Sequence, residues 1–166
     1  MANSFYMDAS ALAKPYNPEP GDILVDAILN HVAPSRIHFL NIGAGEILSI
    51  LVRRRNAGTI SNANFVQAVA RFNTDIVRGT AITRASVTTR LVAKSLSLIV
   101  AHSINSTDAL VLQSALAIAR RLPRAGDDLV LVASDQRLLR AAQADGLPTF
   151  DPETQDQAVL AALIGP

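Results

Sequence analysis

Short apolar segments of strand length alternate with helical segments along this chain. The strand candidates are residues 5–7, 37–40, 81–83, 129–133 and 148–150, and the run 129–133 is the clearest because polar and acidic residues border it. Between these segments, apolar residues recur at helical spacing. Strands that alternate with helices favour a parallel sheet with helices on both faces. The pattern therefore predicts a single α/β domain.

Caps and helix breakers indicate where the helices begin and end. We expect helices over about 8–14, 22–32, 43–56, 86–102 and 107–122, one that ends near 144, one that Ser61 caps and a last one from Pro152. Ser106 or Thr107 is the predicted cap of the long helix 107–122. The whole chain, 1–166, is expected to be one domain with a core of about 5–150 and a helical tail of 151–166.

Composition excludes several classes of protein. Hydrophobic residues make up 49% of the 166 residues and charged residues only 17%, which is the opposite of a disordered chain. So low a charged fraction predicts a homo-oligomer or a protein partner. The net charge of +1 excludes a basic tail that binds nucleic acid, although not a local basic patch. Because cysteine is absent, no disulfide, zinc–thiolate site or cysteine nucleophile is possible.

Targeting signals are also missing from the pattern. Residues 1–5 do not show the basic and then apolar segments of a secretory signal. The apolar stretches fall short of the roughly 18 residues that a membrane span needs. We therefore expect a cytoplasmic protein with no membrane segment.

Four carboxylates fall at the ends of the predicted elements. Asp8 ends the first strand, Glu46 lies in the first turn of the helix after the second strand, and Asp135 follows the fourth strand. Asp108 opens the long helix. Ligands of open parallel sheets bind outside the carboxyl ends of the strands. Three of the acids should therefore meet at one sheet edge, where Asp108 can join them from a helix N-terminus.

Such a group of acids indicates a metal site. Carboxylates that lie close together repel each other unless a cation lies between them. Oxygen ligands without His or Cys favour Mg²⁺ or Mn²⁺, which can activate water and neutralise charge on a phosphodiester. The spacing thus predicts metal-assisted phosphoester hydrolysis. Each acid taken singly is also explained as a helix cap or as a charge that complements the helix dipole.

Four short motifs in order resemble those of the PIN-domain ribonucleases, especially the small VapC-type toxins of prokaryotic toxin–antitoxin pairs. Residues 6–14, YMDASALAK, resemble the strand-Asp-x-Ser-Ala-Leu start of the family, and residues 45–48, GEIL, its second acidic motif. Residues 106–110, STDAL, resemble the third motif, and 133–138, ASDQRL, the fourth. The resemblance covers about residues 5–150. One departure is the segment 41–45, where many relatives carry Ser or Thr.

The resemblance implies a three-layer α/β/α sandwich with a parallel sheet of four to five strands. It also implies cleavage of RNA that depends on Mg²⁺ or Mn²⁺, a homodimer and, for a toxin, a cognate antitoxin. By position, Asp8 and Asp108 would be the main metal ligands, and Glu46 would bind the metal or orient its water. Asp135 would help either by contacting the groups that bind the metal or by binding a second metal. Two hydroxyls, those of Ser10 and Ser134, would hydrogen-bond these carboxylates and hold their rotamers.

Basic residues near the acids are candidates for RNA binding. Arg53, Arg54 and Arg55 follow the Glu46 motif on the same helix, and Lys14 follows the first motif. Because consecutive helical positions point about 100° apart, at most two of the three arginines can face one ligand. The arginines are equally explained as a solvated helix C-terminus that the dipole favours.

Two other functions fit the same residues. The first is a non-catalytic PIN-like module that binds RNA or a protein, although such a module has no physical reason to keep four repelling acids. The second is a metal-dependent DNA nuclease, since recognition of the 2′-hydroxyl depends on groove contacts that the sequence does not locate. Nothing in the motifs themselves encodes a role as a toxin.

Overall fold

The central sheet is built from the short apolar segments that mark the strands. The computed structural model describes residues 3–80, 82–122 and 128–165. All the strands pair in parallel, in the order β3-β2-β1-β4-β5. The prediction of four to five parallel strands is confirmed, and within the described residues the strands are β1 (Ser4–Met7), β2 (Ile37–Leu40), β3 (Thr83–Ala85), β4 (Leu129–Val132) and β5 (Thr149–Phe150).

Eight α-helices occur in the described part of the chain. A π-helical turn, Asn73–Val77, extends the fourth of them. In chain order they are α1 (Ala9–Leu12), α2 (Asp22–His31), α3 (Gly43–Asn56), α4 (Asn62–Phe72), α5 (Thr89–His102), α6 (Ser106–Ala119), α7 (Gln136–Ala144) and α8 (Gln157–Ile164).

Strand residues alternate between two hydrophobic cores, one on each face of the sheet. Phe5 and Met7 point into the core beneath α1, α2, α3, α4 and α8. Tyr6, between them, points into the core beneath α6 and α7, against which α5 also packs. This alternation follows from the two-residue repeat of a strand. The predicted α/β/α sandwich is therefore confirmed, and α8 is part of it because Leu160 is fully buried.

Several element boundaries differ from the sequence prediction. The third strand lies at Thr83–Ala85 rather than 81–83, because it pairs with β2 through Ala85 opposite Leu40; Ala81 is outside the described residues. Helix α5 begins at Thr89 rather than 86, since the side chain of Thr88 caps it by accepting from the N–H of Leu91. The last helix begins at Gln157 rather than Pro152, capped by Asp156.

The order of the strands creates a crevice. The chain passes from β1 to β2 and β3 on one side and then returns to β4 on the other side of β1. Between β1 and β4 the winding direction reverses, and the connections leave the carboxyl ends of these strands in opposite directions. Asp8 directly follows β1, and Asp135 caps the helix after β4. The crevice therefore opens between these two acids.

No single helix in the described ranges is long and apolar enough to cross a membrane; α5 and α6 reach the required length and composition only as a pair bent by 112°.

Gly43 fixes how closely α3 approaches the sheet. A Cβ at this position would lie 2.7 and 2.9 Å from two ring atoms of Phe39, and Phe39 is 1% exposed. Because the ring is confined by the core, it has little room to move away. Gly45, two residues later, has no atom within 4 Å of such a Cβ. The glycines in segment 41–45 thus differ in role, and Gly43 sets the position of the helix that carries Glu46.

We expect Gly43→Ala to lower the free energy of unfolding by about 1–3 kcal/mol, because the methyl group overpacks the core against Phe39. Gly45→Ala is the matched control and should raise it by about 0.5–1 kcal/mol, since alanine is the better helix former. Urea denaturation of both variants measures the difference. Equal effects of the two substitutions would contradict the packing argument.

Candidate active site

All four predicted acids line one cavity of about 360 Å³. Asp8 and Asp135 approach from the carboxyl ends of β1 and β4, Glu46 from the first turn of α3 and Asp108 from the first turn of α6. Four elements distant in sequence therefore deliver a carboxylate to the same crevice. The wall is completed by Ala9, Ser10, Ser49, Ile50, Arg53 and Asn105.

Asp8 is the most buried of these acids, with 7% of its surface exposed. One of its oxygens, Oδ2, accepts the backbone N–H of Ser10 at 2.9 Å and the hydroxyl of Ser10 at 2.6 Å. Burial raises the pKa of this carboxyl, the hydrogen bonds from Ser10 lower it, and the negative charge of Asp135 raises it further. Asp8 is therefore both the cap of α1 and a member of the acidic group.

Ser10 holds Asp8 as predicted, but the role of Ser134 needs correction. The backbone N–H of Ser134 donates to the hydroxyl oxygen of Ser10 at 3.0 Å, and that hydroxyl in turn donates to Asp8. The Ser134 hydroxyl itself is buried and finds no hydrogen-bond partner within the described residues. Ser134 thus orients Ser10 through its backbone, and its hydroxyl does not hold a carboxylate of the described acids.

Glu46 is half-buried in the first turn of α3. Burial is the main cause that raises the pKa of its carboxyl, and the charge of Asp8 adds to it. Arg53, two turns further along the helix, lowers the pKa again. The cavity therefore contains one cationic side chain that opposes the repulsion among the acids.

Asp108 is held by Asn105, a residue that the sequence analysis missed. The side-chain oxygen of Asn105 accepts the backbone N–H of Asp108 at 2.8 Å, and its amide nitrogen donates to Oδ2 of Asp108, also at 2.8 Å. Asn105, rather than Ser106 or Thr107, is therefore the cap of α6. The spacing of Asn105 and Asp108 is the signal that could have identified this cap, since a capping residue followed three positions later by an acid is typical of a helix start.

The pKa of Asp108 is raised to about 7. Burial is the largest cause, and the negative charges of Asp135, Asp8 and Glu46 follow in that order, while Arg137 lowers the pKa. All three of the other acids therefore act on this carboxyl. The four carboxylates, which line the same cavity, therefore form one electrostatic group.

Asp135 is both a helix cap and a member of the acidic group, the two interpretations that the sequence allows. Its Oδ1 accepts the backbone N–H groups of Arg137 at 2.8 Å and Leu138 at 3.3 Å, which makes it the cap of α7. Its charge also raises the pKa of Asp8 and Asp108 across the crevice. A helix cap and a member of the acidic group are here the same residue.

The donor set fits a hard divalent cation. Each of the four side chains offers carboxylate oxygens, which Mg²⁺ and Mn²⁺ prefer, and no imidazole or thiolate lines the cavity. As the side chains stand, no three acids of the described residues converge closely enough to hold an ion. Repulsion between uncompensated carboxylates favours such a separation. A cation would supply the attraction that draws them together.

The basic residues near the acids are divided among different partners. Arg53 is exposed and lines both the acidic cavity and an adjoining cavity of about 450 Å³. Arg54 forms an ion pair with Glu19, and the guanidinium of Arg55 lies 4.5 Å from the centre of the Phe65 ring. Of the three arginines, only Arg53 reaches the acidic cavity.

Lys14 is engaged elsewhere. Its side chain is 1% exposed, and its ammonium lies 2.6 Å from Glu153 and 3.4 Å from Glu19. The pair with Glu153 connects the start of the chain to the segment before α8. Its charge is therefore compensated inside the protein, a position that favours a structural role over a contact with RNA.

The geometry and the motifs agree with a comparison against protein families. The sequence matches the PIN domain over residues 5–144. The chain belongs to the PIN-domain family. No curated protein matches the sequence.

Solved structures share the fold of this PIN domain. PAE2754 from Pyrobaculum aerophilum has 18% sequence identity and a TM-score of 0.65, over 98% of both chains. The Mycobacterium tuberculosis protein VapC20, described as a toxin that cleaves the sarcin–ricin loop, has 19% identity and a TM-score of 0.62, over 92% of this chain and 100% of its own. FitAcB from Neisseria gonorrhoeae has 16% identity and a TM-score of 0.60, over 91% and 99%.

We expect the metal-free protein to lose stability as the pH rises from about 4 to 7. The pKa of Asp108 is 3.8 ordinarily and about 7 in the folded state, so over this range the folded protein keeps a proton that the unfolded chain has released. Stability falls with pH wherever the folded state binds more protons. In Asp108→Asn this fall should be smaller. Urea unfolding in EDTA over this pH range is the measurement, and identical profiles for the two proteins would contradict it.

We also expect Asn105→Ala to lower the free energy of unfolding by about 1 kcal/mol, because α6 loses its cap. Asn105→Ser is the matched control, since serine keeps a capping oxygen but lacks the amide that holds Asp108. This variant should be close to wild type in stability and yet bind Mn²⁺ about 10-fold more weakly or worse. Calorimetry with Mn²⁺ and urea unfolding separate the two roles; wild-type Mn²⁺ affinity in Asn105→Ser would show that the amide does not position Asp108.

Proposed function

We propose that this PIN domain is a divalent-metal-dependent endoribonuclease and the toxin of a toxin–antitoxin pair. The observation that carries the proposal is the single cavity lined by Asp8, Glu46, Asp108 and Asp135, whose carboxyls repel one another. Such repulsion costs folding stability, and a chain with no use for a cation gains nothing from it. Membership of the PIN-domain family and the fold shared with VapC20 support the same conclusion.

Asp8 and Asp108 are the side chains proposed to hold the cation, Mg²⁺ or Mn²⁺. A cation held by these residues would neutralise charge that builds up on the phosphodiester and would make water a better nucleophile. Ser10 keeps the carboxylate of Asp8 in place through the 2.6 Å hydrogen bond, and Asn105 does the same for Asp108 at 2.8 Å. Both acids are therefore fixed by neighbours before a substrate arrives.

Glu46 and Asp135 complete the proposed machinery. Glu46 is the carboxylate proposed to orient the attacking water, because it lines the same cavity from the first turn of α3. Asp135 is fixed by two backbone N–H groups of α7 and adds negative charge to the cavity. Among the basic residues, Arg53 is the one proposed to contact a phosphate beside the acids, because it is exposed and lines the cavity.

A cognate antitoxin and a second copy of the chain are the proposed protein partners. The resemblance to VapC-type toxins supports both, and FitAcB provides a shared fold. The charged fraction of 17% agrees with a protein that buries further surface against a partner. Light scattering of the purified chain tests for the dimer, and a stable complex with the product of a neighbouring small reading frame tests for the antitoxin.

We expect Asp8→Asn and Asp108→Asn each to lower the rate of RNA cleavage by about 100-fold or more, because each removes a charge that the cation needs. Asp156→Asn is the matched control: it makes the same change at the cap of α8, outside the cavity, where asparagine caps equally well. Cleavage of a structured RNA with Mg²⁺, Mn²⁺ or EDTA is the measurement. The control should retain wild-type cleavage.

The same assay separates the competing functions. Cleavage of DNA but not of RNA would assign a DNA nuclease to the same residues. Absence of cleavage with every metal, together with calorimetry that detects no metal binding, would favour a non-catalytic module. Full cleavage in both Asp8→Asn and Asp108→Asn would refute the proposed metal site.

A further inference from the structure

A second polar cleft lies between α5 and α6, away from the acidic cavity. It has a volume of about 370 Å³, and none of the twelve described residues that line it is an Asp or a Glu. The cleft is bounded by the first turns of α5 and by the last turn of α6 with the residues that follow. Four of the lining residues carry positive charge: Arg90, Lys94, Arg120 and Arg121.

These four cations are exposed, and none takes part in an ion pair formed within the described residues. Lys14 and Arg54, by contrast, are compensated by glutamates. The chain as a whole has nearly equal numbers of basic and acidic residues, 15 and 14. A cleft with four cations and no acid among its described residues is therefore a local concentration of positive charge, which attracts a polyanion.

The floor and rim of the cleft add uncharged hydrogen-bond donors. Gln113 and Ser114 from α6, which are 8% and 4% exposed, also line the cleft. Ser86 and Thr88 lie at the rim, ahead of α5. Hydroxyl, amide and cationic groups together are the set that proteins use to contact phosphate and sugar oxygens.

We propose that this cleft binds the phosphodiester backbone of an RNA whose scissile bond lies at the acidic cavity. The inference rests on the proposed function and adds a second binding site to it. Helix α6 connects the two sites, since Asp108 lies in its first turn and Arg120 directly follows its last residue. Twelve residues at 1.5 Å per residue separate them by about 18 Å along the helix. A single strand of about 20 nucleotides is long enough to reach both sites even at the roughly 3.4 Å per nucleotide of a double helix.

Electrostatics explains why the site needs such a cleft. The acidic cavity repels every phosphate that a bound cation does not directly neutralise. Arg53 is the cation described there, so flanking phosphates require positive charge elsewhere. Cations that neutralise phosphates release counterions, which makes binding tighter and more dependent on salt.

The experiment measures RNA binding by Asp8→Asn protein, so that cleavage does not interfere. The probe is a fluorescent single-stranded RNA of about 20 nucleotides, titrated by anisotropy at several salt concentrations. Two double variants in this background alter opposite walls of the cleft: Arg120→Gln with Arg121→Gln, and Arg90→Gln with Lys94→Gln. The matched control is Arg78→Gln with Arg140→Gln, which removes two exposed charges outside the cleft.

We expect each cleft variant to bind RNA at least about 10-fold more weakly near physiological salt than the control does. The slope of log affinity against log salt should become shallower by about 1.4, which is about 0.7 for each phosphate that the variant no longer neutralises. All the substituted cations are exposed, and thermal unfolding of each variant beside its Asp8→Asn parent verifies that it folds. Since the walls belong to different helices, one unstable variant leaves the other as a full test.

Three results would overturn the proposal. In the first, the Asp8→Asn parent does not bind the RNA at low salt. In the second, the cleft variants match the control both in affinity and in the slope of log affinity against log salt. In the third, inorganic phosphate displaces the RNA at millimolar concentration. The last result would indicate a site for a small anion. DNA of the same sequence, run in parallel, reports whether the cleft distinguishes the two backbones. Because binding is measured without cleavage, failure of the cleft is distinguishable from failure of the nuclease.

Discussion

Four carboxylates that repel one another share the crevice of this sheet, and the surrounding structure holds them there against that repulsion. The reversal of strand order between β1 and β4 opens a crevice, and four elements each deliver an acid to it. The pKa of Asp108 is raised to about 7, chiefly by burial and then by the charges of the other three acids. The fold tolerates this because each of three carboxylates is otherwise well held: Asp8 by Ser10, Asp108 by Asn105, and Asp135 by the N–H groups of α7.

The packing beneath the site keeps these groups in place. Fully buried strands at the centre make the sheet rigid, and the close approach of Gly43 to Phe39 sets the depth of α3 and therefore of Glu46. The buried ammonium of Lys14, between Glu19 and Glu153, joins the start of the chain to the segment before α8. Within the described residues, Arg53 at the acidic cavity and the four cations of the cleft between α5 and α6 form no ion pair. This distribution of charge favours a polyanion whose backbone lies along the basic cleft while one phosphodiester reaches the acidic cavity.

Much of the fold and most of the acidic group could be predicted from the sequence, because both depend on local patterns. Strand β4 and helix α3 agree with the prediction almost to the residue, since an apolar run and a helical repeat are local signals. The predicted start positions of three helices are wrong, because Thr88, Asn105 and Asp156 cap helices that the sequence predicts to begin elsewhere. Several adjacent residues at each start can cap, and only the backbone path decides which side chain reaches the free N–H groups.

The sequence alone predicts the acidic group: four carboxylates at strand ends and helix starts, with no histidine or cysteine among them. The tertiary structure alone decided which neighbours serve them. It placed the hydroxyl of Ser10, but only the backbone of Ser134, on the path to Asp8. It compensated Lys14 and Arg54 with glutamates and left Arg53 at the cavity. Side chains distant in sequence meet only when helices pack on the sheet, so their contacts follow no local pattern that a sequence reveals.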